Sequence, residues 1–132
     1  MFVSFSSIDP SSRIWVYQAD RKFTEPEKAL IANHLQVFTE EWSAHSQALK
    51  TSFDIRYNQF IVLAADESHN TASGCSIDSS VRAMKQIVEK VGIDLFNRNL
   101  IAFLNGETVT LIALNKLKEK YGARKLVSLG GA

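Results

Sequence analysis

Phe60-Ile61-Val62-Leu63-Ala64-Ala65-Asp66-Glu67-Ser68-His69-Asn70-Thr71-Ala72-Ser73-Gly74-Cys75-Ser76-Ile77 holds the change of pattern that decides the fold. Six apolar residues in a row read as a strand covered on both faces, or as one that offers a contact surface on one face. A polar loop follows. From Ile77 the period changes: Ile77, Val81, Met84, Val88 and Val91 recur at four, three, four and three residues, the stripe of an amphipathic helix. Gly92 is placed to end it, and Ser76 to cap its start.

Upstream, Phe53-Asp54-Ile55-Arg56-Tyr57 alternates apolar and polar, the pattern of a strand with one face in the core. Asn58-Gln59 joins it to the apolar run as a hairpin. A further step back, Thr24 opens a helix with Pro26 in its first turn and Glu27 three residues on, a capping box. Ile31, Leu35, Phe38 and Trp42 form its buried stripe, and the helix is expected to end around residues 43–45. Arg13-Ile14-Trp15-Val16-Tyr17-Gln18 is a β-branched and aromatic first strand, preceded by an irregular arm over residues 1–12.

Downstream, Leu100 to Leu104 reads as a strand and Asn105-Gly106 as a type I′ turn, with Val109 and Leu111 alternating in the return strand. Leu114 to Tyr121 is a short final helix, and residues 126–132 a loose tail. The order predicts one α+β domain over residues 1–132. Its form is a two-layer sandwich, a mostly antiparallel sheet of about five strands with two main helices on one face. The first six elements follow the ferredoxin-like, split βαβ order, to which an extra hairpin strand and the C-terminal helix are added.

Charge and cysteine usage narrow the function. Fifteen basic against fourteen acidic residues leave a net charge of +1, which gives no general attraction to nucleic acid or to an acidic membrane. One cysteine makes no internal disulfide and fits a reducing compartment. The first residues, Met1-Phe2-Val3-Ser4-Phe5, lack a signal peptide's basic start, and no apolar run nears the roughly 18 residues that span a bilayer. The expected location is the cytoplasm.

The loop over residues 66–80 is the candidate site. The first backbone N–H groups of a helix are unpaired and favour negative charge. Ser73, Gly74, Ser76 and Ser79 would hold a small anion there, and Trp42 and Arg56 would wall a pocket beside it. Capping alone explains the same serines, and Asp78 opposes an anion. Cys75 is the candidate nucleophile of a cysteine-dependent enzyme. A helix N-terminus supplies about 0.3–1 kcal/mol, less than the about 1.36 kcal/mol of one pKa unit. A second group, His69 or His45, is therefore needed as base. No C-x-x-C, H-x-x-x-H or H-E-x-x-H spacing is present, so no metal and no cofactor are expected. A third reading is a structural homodimer formed through the apolar surface of residues 60–65.

Arg13 to Asp20, Trp42-x-x-His45, Phe53 through Glu67, Ala72 through Ser80, and Gly92-Ile93-Asp94-Leu95-Phe96-Asn97-Arg98 together resemble a family of small, uncharacterised bacterial proteins often labelled "ABC transporter ATPase". The similarity runs from about Arg13 to Phe103. Phosphate capture by such an ATPase needs G-x-x-x-x-G-K-[ST], and this chain has no such run. The resemblance therefore implies no catalytic residue. The reading that follows is a binding module for an anionic small ligand or a protein partner at the 66–80 loop.

Overall fold

The structure, a computed structural model, describes residues 1–44, 47–68, 72–97, 100–105 and 108–113. In chain order these form β1 (Arg13–Gln18), α1 (Glu25–Glu41), β2 (Ser43–Ala44), β3 (Gln47–Ala48), β4 (Lys50–Arg56), β5 (Phe60–Asp66), α2 (Gly74–Val91), β6 (Leu100–Asn105) and β7 (Thr108–Ala113). The protein is α+β, with two helices and antiparallel sheets.

The apolar run is the middle strand. β5 pairs antiparallel with β1 on one edge and with β4 on the other, in register from Gln18↔Phe60 to Arg13↔Ala65 and from Arg56↔Phe60 to Lys50↔Asp66. Phe60 to Ala65 are each 9% exposed or less. This is the covered central strand, and residues 60–65 expose little surface of their own. Phe60 and Val62 nevertheless floor a hollow of about 290 Å³ beside the exposed Ile14 and Tyr57.

Trp15 and Tyr17 of β1, Ile61, Leu63 and Ala65 of β5, and Phe53 and Ile55 of β4 meet one cluster with Ile31 and Leu35 of α1 and Met84 and Ile87 of α2. Both helices therefore lie on one face, as expected. Burying each large aliphatic side chain contributes about 1.5–3 kcal/mol. The helices run antiparallel. Trp42, just past the end of α1, donates its indole N–H to the Ser76 carbonyl in the first turn of α2 at 2.8 Å. At the far end, Arg21 lies 3.5 Å from the Val91 carbonyl at the close of α2.

β1 and β4, the strands joined through α1, run parallel with β5 antiparallel between them, the arrangement of a split βαβ unit. Two details depart from expectation. A single sheet of five strands is not what the described residues form: β1, β5 and β4 make a three-stranded sheet, while β2–β3 and β6–β7 are separate hairpins. Finally, α1 stops at Glu41, because Trp42 turns extended (ψ 126°) to reach Ser76 and to pack 5.1 Å from Phe38 and 5.5 Å from Trp15.

The β4–β5 turn is displaced by one residue. Tyr57 and Asn58 carry positive φ (54° and 55°), and the Gln59 N–H donates to the Arg56 carbonyl at 3.0 Å. Gln59 itself is buried and clamps the β1–α1 link. Its carbonyl accepts the Ala19 N–H at 2.8 Å while its side-chain amide donates to the Ala19 carbonyl at 3.1 Å. Asn105 lies inside β6, paired with Thr108 of β7. The turn residue Gly106, the expected helix over 114–121 and the tail over 126–132 lie outside the described residues. The N-terminal arm is irregular as expected, yet it is docked. Met1 donates its amino group to the Leu49 carbonyl at 2.6 Å, Phe2 bridges Thr51, and Ile8 is buried.

Helix capping follows the sequence closely at α1. The Thr24 hydroxyl accepts from the Glu27 N–H and Glu27 accepts from the Thr24 N–H. Glu27 also holds both ends of the Arg21 guanidinium at 2.7 Å. These two partners, Arg21 first, hold the Glu27 carboxyl at a pKa of about 2. A carboxylate depressed in the fold stabilises above its unfolded value, near 4.5, and that contribution is lost as the pH falls from there toward 2. Urea unfolding midpoints should therefore drop on acidification through this window in the native chain. In Glu27→Gln the drop should be smaller, and added salt should narrow the difference.

Candidate functional site

Ser73, in extended backbone, is the N-cap of α2, and its hydroxyl accepts the Ser76 N–H at 3.2 Å. The helix thus opens at Gly74, three residues before the expected start, and Ser76 is an interior residue of the first turn. The remaining hydroxyls are spent on the helix itself. Ser76 donates to the Ser73 carbonyl at 2.8 Å, Ser79 to the Cys75 carbonyl at 2.9 Å and Ser80 to the Ile77 carbonyl at 2.6 Å. Such back-bonding is what serine does in a helix when no other acceptor is near. Ser80 also meets the phenol of Tyr17, whose pKa burial pushes up and this bond partly restores.

The loop before the helix is stapled by its own acids. Asp66 accepts the Ser68 N–H at 2.9 Å, and Glu67 the Ala72 N–H at 2.8 Å. Among the described residues this leaves the N–H groups of Gly74 and Cys75 without an acceptor. Both residues are exposed, and a Cβ added at Gly74 meets nothing within 4 Å. Arg82 bends back along the helix and donates to the Ser79 hydroxyl at 3.2 Å, bringing a guanidinium toward this end. Cys75, Ser79 and Arg82 share one face at spacings of four and three, a pattern that periodicity alone reveals. Asp78, exposed in the next turn, stands against an anion here.

The predicted set divides. Ser73, Gly74, Cys75, Ser76 and Ser79 are brought together at the start of α2. Trp42 reaches the same place from beneath, but as a core residue with its N–H committed to Ser76. Arg56 does not join them. It lies at the far end of β4 from Lys50, a span of roughly 20 Å along six residues. It alternates onto the face opposite Phe53 and Ile55, where it pairs with Asp54 at 2.6 Å and covers the Phe5 ring at 5.5 Å. No pocket with Trp42 on one wall and Arg56 on the other is formed. Cys75 is an exposed free thiol. His69 and His45, its expected bases, lie outside the described residues.

Among the described residues no three His, Cys, Asp or Glu side chains gather as a metal site, and no helix is long and apolar enough to cross a membrane. The fold is α+β, and the start of α2 carries the exposed residues Gly74 and Cys75. Comparison with protein-family models, with curated proteins and with solved structures finds no match to this chain.

Two substitutions separate framework from surface. Trp42→Phe removes the indole bond that ties the end of α1 to the Ser76 carbonyl, along with part of the buried ring volume, and should cost about 1–3 kcal/mol in urea unfolding. Cys75→Ser changes an exposed side chain and should stay within about 0.5 kcal/mol of the native chain.

Proposed function

We propose that the protein is a small binding module that takes an anionic ligand at the start of α2. The reading extends the family resemblance to small bacterial proteins and places the chain in the cytoplasm, binding rather than hydrolysing its ligand. The observation that carries it is the pair of exposed, acceptor-free amides of Gly74 and Cys75 with the Arg82 guanidinium turned toward the same end of the helix. The site is smaller than the sequence suggests, because Ser76 and Ser79 donate their hydroxyl protons within the helix. Hydrogen bonds to a charged group are worth about 1.5–3 kcal/mol each. Two amides working against Asp78, Asp66 and Glu67 therefore support affinity on the order of millimolar for phosphate alone. A larger ligand would add contacts along the Cys75–Ser79–Arg82 face.

The exposed thiol of Cys75 on that face is the observation behind the second reading, a cysteine-dependent enzyme in which the same amides hold an oxyanion and His69 or His45 serves as base.

Proline at the first helical position removes one N–H and otherwise suits the helix, and the extended backbone of Ser73 suits the residue before it. Calorimetric titration with inorganic phosphate should show salt-sensitive binding by the native chain. Gly74→Pro and Arg82→Gln should each weaken it several-fold while the circular dichroism spectrum stays native, and Cys75→Ser should bind as the native chain does. Equal binding by the native chain and Gly74→Pro sinks the anion site. Loss of binding in Cys75→Ser moves the case to the enzyme.

A further inference from the structure

α1 carries apolar side chains on two faces, and the core uses only one. Ile31 and Leu35 are fully buried against the sheet, while Leu30 is 41% exposed and Val37 61%. These two sit seven residues apart, two turns along one outer edge, where an amphipathic surface helix places polar residues. They line a groove of about 750 Å³ between α1 and α2, with His34 and half-buried Phe38 on one side and Gln86 on the other. Burial, and then the nearby Lys90 charge, hold the His34 imidazole below its ordinary pKa, so the middle of the groove is neutral near pH 7.

The charges sit at the ends. Because the helices are antiparallel, Lys90 near the close of α2 lies at the Leu30 end, and Glu41 at the last residue of α1 lies at the other. Neither has an ion pair among the described residues. Leu30 and Glu41 are eleven positions apart in the helix, roughly 16 Å at 1.5 Å per residue. A strip that is basic at one end, apolar in the middle and acidic at the other is its own complement when turned by a two-fold axis across it. That self-complementarity is what an isologous interface requires.

We propose that a second copy of this chain occupies this groove, packed antiparallel so that Glu41 of each copy meets Lys90 of the other and the exposed Leu30 and Val37 side chains are buried between them. The inference stands apart from the anion site at the start of α2. From Leu30 to Glu41 the strip is roughly 16 Å long and about two helices (roughly 20 Å) wide, or roughly 300 Å² per copy. Two such strips stay below the roughly 1,000 Å² of a stable specific interface, which makes the dimer a weak, reversible one.

Sedimentation equilibrium of the full chain over a concentration series from micromolar upward tests it. The native chain should show a reversible monomer–dimer equilibrium, and Val37→Asp, a change at an exposed position, should weaken it at least tenfold with an unchanged circular dichroism spectrum. Glu41→Lys and Lys90→Glu, each replacing two attractive pairs with two repulsive ones, should each weaken it about tenfold. The combined reversal should recover most of the loss. A chain monomeric at every concentration overturns the proposal. So does a dimer indifferent to Val37→Asp, and so does a double reversal no better than the single ones. Phosphate titration of the same variants should match the native chain, keeping this result separate from that of the anion site.

Discussion

The burial of β5 on both faces governs the architecture. From Phe60 to Ala65 the strand is closed to solvent, so water is not there to satisfy its amides and carbonyls, and each edge needs a neighbouring strand. β1 and β4 supply those neighbours over the full length of the run. The helices cover one face, and the arm over residues 1–12 reaches the edge of β4, where the Val3 N–H donates to the Thr51 carbonyl and the Thr51 N–H to the Met1 carbonyl. Once β5 is central, the rest of the described core has to be arranged around it.

Joints then hold the layers in place, and most of them are single polar contacts inside the core. Gln59 locks the hairpin turn to the β1–α1 link through Ala19. The Thr51 hydroxyl donates to the Thr39 carbonyl at 2.6 Å, tying β4 to α1. Trp42 ties the end of α1 to the start of α2. Each group would be costly to bury alone, so each pair fixes a relative position that apolar packing by itself leaves loose. The start of α2, where the candidate ligand site lies, is thus held from below by an indole while its upper side faces solvent.

Two surfaces stand out because the fold does not consume them. At the start of α2 the serine hydroxyls turn inward to backbone carbonyls and leave backbone amides as the open donors. Along α1 the core takes one apolar stripe and leaves a second, bounded by charges of opposite sign. The first surface suits a small anion and the second a larger, self-complementary partner, so the two can be occupied independently.

Local chemistry was legible in the chain wherever the cause was local. The capping box at Thr24 and Glu27, the left-handed close of α2 at Gly92 (φ 74°), the buried stripe of Ile31 and Leu35 and the strand character of residues 60–65 all follow from side chains acting on their own or adjacent turns. The candidate site was legible in its membership at residues 73–79 but not in its donors. A serine hydroxyl turns outward or inward according to which acceptors surround it, and that depends on packing. The position of Arg56 away from Trp42, the early end of α1 and the separation of β6–β7 from the sheet of β1, β5 and β4 belong to tertiary structure alone. Strand pairing and side-chain convergence are decided by contacts between residues far apart in the chain, and periodicity carries the face of an element without naming the element that will meet it.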